Sequence, residues 1–339
     1  MNWKHLTLAA ISLIVLVGIV AITTAERDEG DGDASESVQP EPSEHSDHSD
    51  HSEDPSFVAH GSSNIYIIDV ATRTMDQVTA NDQQQIASAP NWSATGNIVF
   101  SEAPRGDEFA SLFVVEPDGS GRRRVPARVQ HLFAPSWAPD GRRMVFVRLG
   151  YALYVTHLRT KTVRRLSATR SADDAPAWSP DGNWIVFQRQ MPTPTNLELY
   201  LINVPGNHLR RLTRDPLQQI TPAWSPDGSR LAFAEQQRNG RWAVVSMRLD
   251  GSDRRLLTDR QLSAQDPAWS PDGTKIAFIQ QARSRDSIAV MDADGGKPVR
   301  ITPREIVKPQ SPAWSPDGKK IVFAASRATQ PPPTRAPSP

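Results

Sequence analysis

The sequence predicts an all-β fold: a six-bladed β-propeller in which strands from both ends of the chain complete one blade. Three observations predict it. A seven-residue phrase, PAWSPDG, stands at Pro176, Pro222, Pro267 and Pro312, with the variants PSWAPDG at Pro135 and PNWSATG at Pro90. The tryptophans of these phrases, Trp92, Trp137, Trp178, Trp224, Trp269 and Trp314, are separated by 45, 41, 46, 45 and 45 residues. A period in the forties fits a four-stranded propeller blade or a two-helix solenoid unit. The third observation is that the repeat is incomplete at each end, in complementary halves.

The residues between the tryptophans decide for strands. After Trp224 comes Ser-Pro-Asp-Gly, with a proline that presets φ and a glycine that accepts a left-handed backbone, as a tight hairpin turn requires. RLAF then alternates, WAVVSM is rich in β-branched and aromatic residues, DGS turns the chain again and RRLLT ends the unit. A helical pair needs two apolar stretches of period 3.6, each ten residues or more, and none is present. The other units repeat the scheme, with third strands such as ELYLINV and SIAVMD and fourth strands such as VRRLS, LRRLT and VRIT.

Before the first tryptophan, NIYIIDVATRTMDQVT (Asn64 to Thr79) matches strands three and four alone. The last repeat, SPAWSPDGKKIVFAAS (Ser311 to Ser326), supplies strands one and two alone. The halves make one blade with a two-plus-two closure, which closes the ring and protects the sheet edges that an open array leaves unpaired. The expected propeller spans residues 57–328, and 272 residues at about 45 per blade give six blades.

With these residues in hand, the repeat resembles that of TolB-type six-bladed propellers, which also occurs in the propeller domains of prolyl oligopeptidase relatives. The resemblance covers all six repeats and implies the fold. It says little of function, because one fold hosts many unrelated tasks. The family's namesake carries an α/β domain ahead of its propeller. A charged segment takes that place here, so the namesake's own partners do not carry over.

The segments outside the propeller read differently. Leu6 to Ala25 holds 20 positions without a charge, preceded by Lys4 and followed by acids. Such a run is long enough to span a bilayer with its positive side cytoplasmic, and residues 1–25 are expected to be a signal anchor or a signal peptide. Either way the propeller lies outside the cytoplasm, periplasmic or at the cell surface, membrane-anchored or, if the segment is cleaved, secreted. Residues 26–56 carry twelve acids and one base, and are expected to form a disordered acidic linker. Residues 329–339 read as a disordered proline-rich tail. The chain has no cysteine, so disulfides, thiolate metal sites and a cysteine nucleophile are excluded.

Candidate functional residues fall in three groups. In the linker, His45, His48 and His51 are three apart with Asp47 and Asp50 between them, ligand types for zinc or nickel, but a soluble tether explains them as well. Paired arginines at the fourth strands (Arg122 to Arg124, Arg164 and Arg165, Arg210 and Arg211, Arg254 and Arg255) suit protection of exposed edges, or a cationic rim for an anionic partner. Nucleic acid is not expected as a partner of an exported domain. The third group borders the expected mouth of the ring: Phe133, Asp174, Gln265, Asp266 and Gln310, where variable loops on a rigid scaffold place recognition.

No G-x-S-x-G and no phosphate-binding glycine motif occurs, and two carboxylates from non-adjacent blades make a poor cation cage. The sequence therefore predicts a non-catalytic, monomeric, extracytoplasmic binding scaffold without a cofactor. Its partners would be a protein or a cell-envelope polymer, and the membrane through the N-terminal segment. The alternative is a metal-dependent hydrolase, of lactonase or esterase type, with its site in the propeller channel.

Overall fold

A computed structural model describes residues 63–328, apart from 82–84, 105–109, 126–131, 149–150, 168–170, 192–195 and 283–284. The anchor segment, the acidic linker with His45, His48 and His51, and the proline-rich tail lie outside the described residues. Among the described residues, no helix is long and apolar enough to cross a membrane.

Six four-stranded antiparallel sheets form the blades. The first consists of β3 (Gln85–Trp92), β4 (Ile98–Pro104), β5 (Ser111–Val115) and β6 (Arg123–Arg124). The second holds β7 (Leu132–Trp137), β8 (Arg143–Arg148), β9 (Ala152–His157) and β10 (Thr162–Arg165), and the third β11 (Asp173–Trp178), β12 (Trp184–Met191), β13 (Asn196–Asn203) and β14 (Leu209–Arg211). The fourth holds β15 (Gln219–Trp224), β16 (Arg230–Gln236), β17 (Trp242–Arg248) and β18 (Arg255–Leu256). The fifth holds β19 (Ser263–Trp269), β20 (Lys275–Gln281), β21 (Ser287–Asp292) and β22 (Val299–Arg300).

The sixth blade is the shared one. Its order is β2–β1–β24–β23, built from β1 (Asn64–Asp69), β2 (Met75–Gln77), β23 (Ile306–Trp314) and β24 (Lys320–Arg327). β1 runs antiparallel to β24 with Ile65 opposite Ala324, Tyr66 opposite Phe323 and Ile68 opposite Ile321. The rings of Tyr66 and Phe323 stack at 5.8 Å between centroids. The two-plus-two closure expected from the sequence is therefore present. The inner strands β3, β7, β11, β15, β19 and β23 each contact the next, and β23 contacts β3, so the ring is complete.

The core is not central. It is divided into six apolar clusters, and each cluster joins two neighbouring blades. One phenylalanine of every second strand (Phe100, Phe146, Phe187, Phe233, Phe278 and Phe323) is fully buried in them. The repeat tryptophans pack there too. Trp178 joins residues of the second and third blades, and Trp137 those of the first and second. The indole N–H of Trp224 donates to Ala177 O of the preceding blade at 3.1 Å, and that of Trp314 to Ala268 O at 3.0 Å. A large flat apolar face suits a seam between sheets.

The remaining letters of the repeat are hydrogen-bonding devices. In Ser-Pro-Asp-Gly the serine Oγ accepts the N–H five residues on and donates to the aspartate: Trp184 N–H reaches Ser179 Oγ at 2.9 Å, and Ser179 Oγ reaches Asp181. Ser225, Ser270 and Ser315 do the same. These serine bonds hold the carboxyls of Asp181, Asp227, Asp272 and Asp317 below the usual range. The second blade has Ala138 instead, and Asp140 Oδ1 takes over by accepting the N–H of both Arg142 and Arg143. At the end of the fourth strand, the hydroxyls of Thr79, Ser167, Thr213, Thr258 and Thr302 accept the N–H of Ile65, Leu153, Leu199, Val244 and Ile288 at 2.9–3.1 Å.

If the shared blade is packed like the others, Phe323→Ala should cost about as much as Phe187→Ala, roughly 3–5 kcal/mol each in denaturant unfolding. A loss at Phe323 below about 1 kcal/mol would mean that β24 does not close the ring.

Candidate functional site

Proline cannot donate to a β-ladder, and inside sheets it is confined to edges, strand starts and bulges. Every inner strand carries one, at Pro90, Pro135, Pro176, Pro222, Pro267 and Pro312. The structure resolves the conflict with a bulge in each. The register slips between Ser88 and Asn91, Phe133 and Ser136, Asp174 and Ala177, Ile220 and Ala223, Gln265 and Ala268, and Gln310 and Ala313. The residue before each proline is left-handed: Ala89 (φ 48), Ala134 (44), Ala175 (47), Thr221 (51), Asp266 (52) and Ser311 (50). None is glycine, so each stores about 1 kcal/mol or more of backbone strain. β23 repeats the device once more, with Lys308 at φ 50 ahead of Pro309.

These bulges form one level of the inner ring, and the five site residues expected from the sequence sit on it. Phe133 is half-buried, and its side chain packs against the cluster between the second and third blades. Gln265 lies opposite Ile279 and accepts a long contact from Gln281 Nε2, 3.5 Å. Gln310 lies opposite Ala324 and is half-buried. Asp174 and Asp266 are also half-buried, on the third and fifth blades.

The two acids are the chemically distinctive members. Asp174 Oδ1 accepts the N–H of Ala175 at 2.7 Å, and Asp266 Oδ2 accepts that of Ser311, in the next blade, at 3.1 Å. Between them, Thr221 N–H donates to Gln188 Oε1 at 2.9 Å, while Thr221 Oγ1 is buried without a hydrogen-bond partner. Burial pushes the Asp174 carboxyl up to about 6, against the Ala175 N–H, and the charges of Asp173 and Asp266 add to the rise. Burial also raises Asp266, against the Ser311 N–H. No ion pair to either carboxylate occurs among the described residues, whereas the buried acids beside them are paired. Asp173 meets Arg189 through two bonds of 2.6 and 2.9 Å, Glu198 meets Arg211, and Glu235 meets Arg254.

The fourth-strand arginines are largely consumed by structure. Arg122 pairs with Glu102 and lies 4.4 Å from the centroid of Phe113. Arg164 donates to Val204 and Pro205 carbonyls of the next blade, and Arg210 to Leu249 O of the next. Arg254 reaches back to Asp215 at 2.6 Å, and Arg255 is held by Asp253. Arg164, Arg210 and Arg254 thereby join neighbouring blades, which the sequence did not disclose.

What the inner ring offers chemically is an arc of oxygen acceptors with two uncompensated negative charges. The inner strands contain no histidine and no cysteine. Among the described residues, no group of three or more His, Cys, Asp or Glu is placed to hold a metal ion.

Fold and ring together define a six-bladed β-propeller whose repeat is bulged at the centre. The chain belongs to the TolB beta propeller domain family, whose model matches residues 101–332. A Protein TolB homolog of Chlorobium luteolum is 29% identical over 87 residues, which are 26% of this chain and only 19% of that protein. A structure assigned as TolB from Agrobacterium tumefaciens superposes with a TM-score of 0.67 at 23% identity, over 79% of this chain and 98% of that one. An oligogalacturonate lyase in complex with manganese shares the fold at a TM-score of 0.54 and 16% identity, over 79% of this chain and 83% of the lyase. At these identities the structural likenesses establish fold alone.

A folded carboxyl raised above its unfolded value of about 3.9 costs stability once it ionises, so stability contributed by protonated Asp174 is lost as pH rises from about 4 through about 6. Asp174→Asn, which keeps the Oδ1 acceptor, should raise Tm by ~2–6 °C at pH 7.5 and leave it unchanged at pH 4. Equal effects at both pH values would show that the carboxyl's charge is not strained.

Proposed function

We propose that the chain is a non-catalytic, monomeric binding scaffold outside the cytoplasm. Residues 1–25 hold or deliver it at a membrane, residues 26–56 act as the spacer, residues 57–328 form the propeller and residues 329–339 the tail. The propeller engages a protein or a cell-envelope polymer at the inner-ring mouth, with Asp174 and Asp266 as polar contacts and Gln265, Gln310 and Phe133 as the surround.

The observation that carries this reading is the unpaired state of Asp174 and Asp266. The buried acids Asp173, Glu198 and Glu235 each have an arginine, while half-buried Asp174 and Asp266, on the inner strands, have backbone N–H groups and no ion pair among the described residues. A rigid scaffold with uncompensated acceptors is suited to receive a donor or a positive charge from a partner. Family membership supports a binding role in general terms. A second reading, a metal-dependent hydrolase with its site in the channel, draws on one observation, the carboxyl near 6 at Asp174, a value that suits acid–base chemistry.

A photocrosslinking amino acid at position 265 separates the two. On intact envelopes it should give one discrete adduct, lost in the Asp174→Asn/Asp266→Asn double variant and absent when the crosslinker stands at position 297. Stoichiometric manganese or zinc in the purified chain, with ester, lactone or polygalacturonate turnover abolished by Asp174→Asn, would instead establish the hydrolase.

A further inference from the structure

The chain is formally neutral, but its charge is not evenly spread. Residues 119–172 carry twelve bases and one acid, Asp140, a net of +11. Residues 26–56 carry −11, and the rest of the chain holds twenty-five charges of each sign. The entire positive excess therefore belongs to the second blade and the adjoining outer strand of the first.

Eleven of those twelve bases are arginine. Of the ten that are described, only Arg122 and Arg143 pair with a carboxylate, Glu102 and Asp140. Arg164 and Arg165 donate to neutral backbone carbonyls, which leave their charge uncompensated. Arg123, Arg124, Arg142, Arg159, Lys161, Arg164 and Arg165 are exposed.

They also form one surface. Arg142 sits in the β7–β8 turn, Arg159 and Lys161 in the β9–β10 turn, and Leu158 N–H donates to Arg142 O at 2.9 Å, which ties the two turns together. β10 is the outermost strand of its sheet, as β6 is of the sheet before it. Val125, next to Arg124, and Val163, next to Arg164, pack in the same inter-blade cluster, so the two outer strands approach one another. The bases thus run from the turn end of one blade over its outer edge and onto the edge of its neighbour.

We propose that this sector is a docking surface for a flexible linear polyanion bearing phosphate or carboxylate groups. Arginine's planar fork favours bidentate contact with either group. The shape decides against a flat anionic membrane. A plane meets the turn end or the edge, whereas a flexible chain follows the bend and neutralises both. The surface is separate from the inner ring and does not rest on the reading given for it.

The test uses the full chain in detergent micelles, with labelled inorganic polyphosphate and polyglutamate as probes and neutral dextran as the blank. At least one polyanion should bind, weakening at least about tenfold between roughly 50 and 200 mM salt. Preference for polyphosphate assigns phosphate, preference for polyglutamate assigns carboxylate. The Arg123→Gln/Arg124→Gln/Arg142→Gln/Arg159→Gln variant, which breaks no described hydrogen bond or ion pair of those side chains, should lose at least about tenfold in affinity. A charge-matched Arg238→Gln/Arg260→Gln/Lys297→Gln/Lys319→Gln control and Asp174→Asn/Asp266→Asn should stay within about twofold. Four outcomes overturn the proposal: no binding of either polymer, equal loss in variant and control, binding only to vesicles containing phosphatidylglycerol, or tighter binding of oligo-dT than of polyphosphate at equal charge.

Discussion

The structure depends on the pairing of β1 with β24. All apolar burial of consequence lies between blades, in six seams, and a seam needs two partners. An open row of six blades would have five. Asn64 to Asp69, zipped against Lys320 to Ala325, supply the sixth, and the seams on both sides of the shared blade exist only because it is whole. With no cysteine in the chain, burial and hydrogen bonding alone hold this closure. The arginines that reach across blades add polar fastening at the outer strands.

The ring also explains why backbone strain is tolerated at its centre. Six inner strands converge, and each must turn where proline removes a ladder bond. A bulge answers both needs, and it places non-glycine residues at positive φ at the same level six times. Because all six repeats share the feature, its first cause is architectural. Individual blades depart from the common alanine: Thr221, Asp266 and Ser311 put polar residues at that level, and Asp174 stands one residue before it.

Much of this was legible in the sequence. The tryptophan period gave the blade number, Ser-Pro-Asp-Gly gave the hairpins, and the complementary halves at Asn64 and Ser326 gave the closure. The bulges have a signal in the sequence too: a proline at a fixed place in six inner strands. Other features were not legible, for a physical reason. Arg164 meets Val204 and Arg254 meets Asp215 at separations near one repeat, and Asp174 feels Asp266 two repeats away. Periodicity fixes the blade and the level of a residue, but not which side chains lean across a seam.

Asn64 and Ala325 are direct partners across the shared sheet. The polypeptide thus enters and leaves the wheel at a single point, and a few residues would splice one to the other. Joined there and cut at any other turn, the same sequence would spell a circular permutant with the same seams, so no blade is obliged to come first. Insertion of the whole wheel into a loop of another protein would be geometrically as undemanding as insertion of a hairpin.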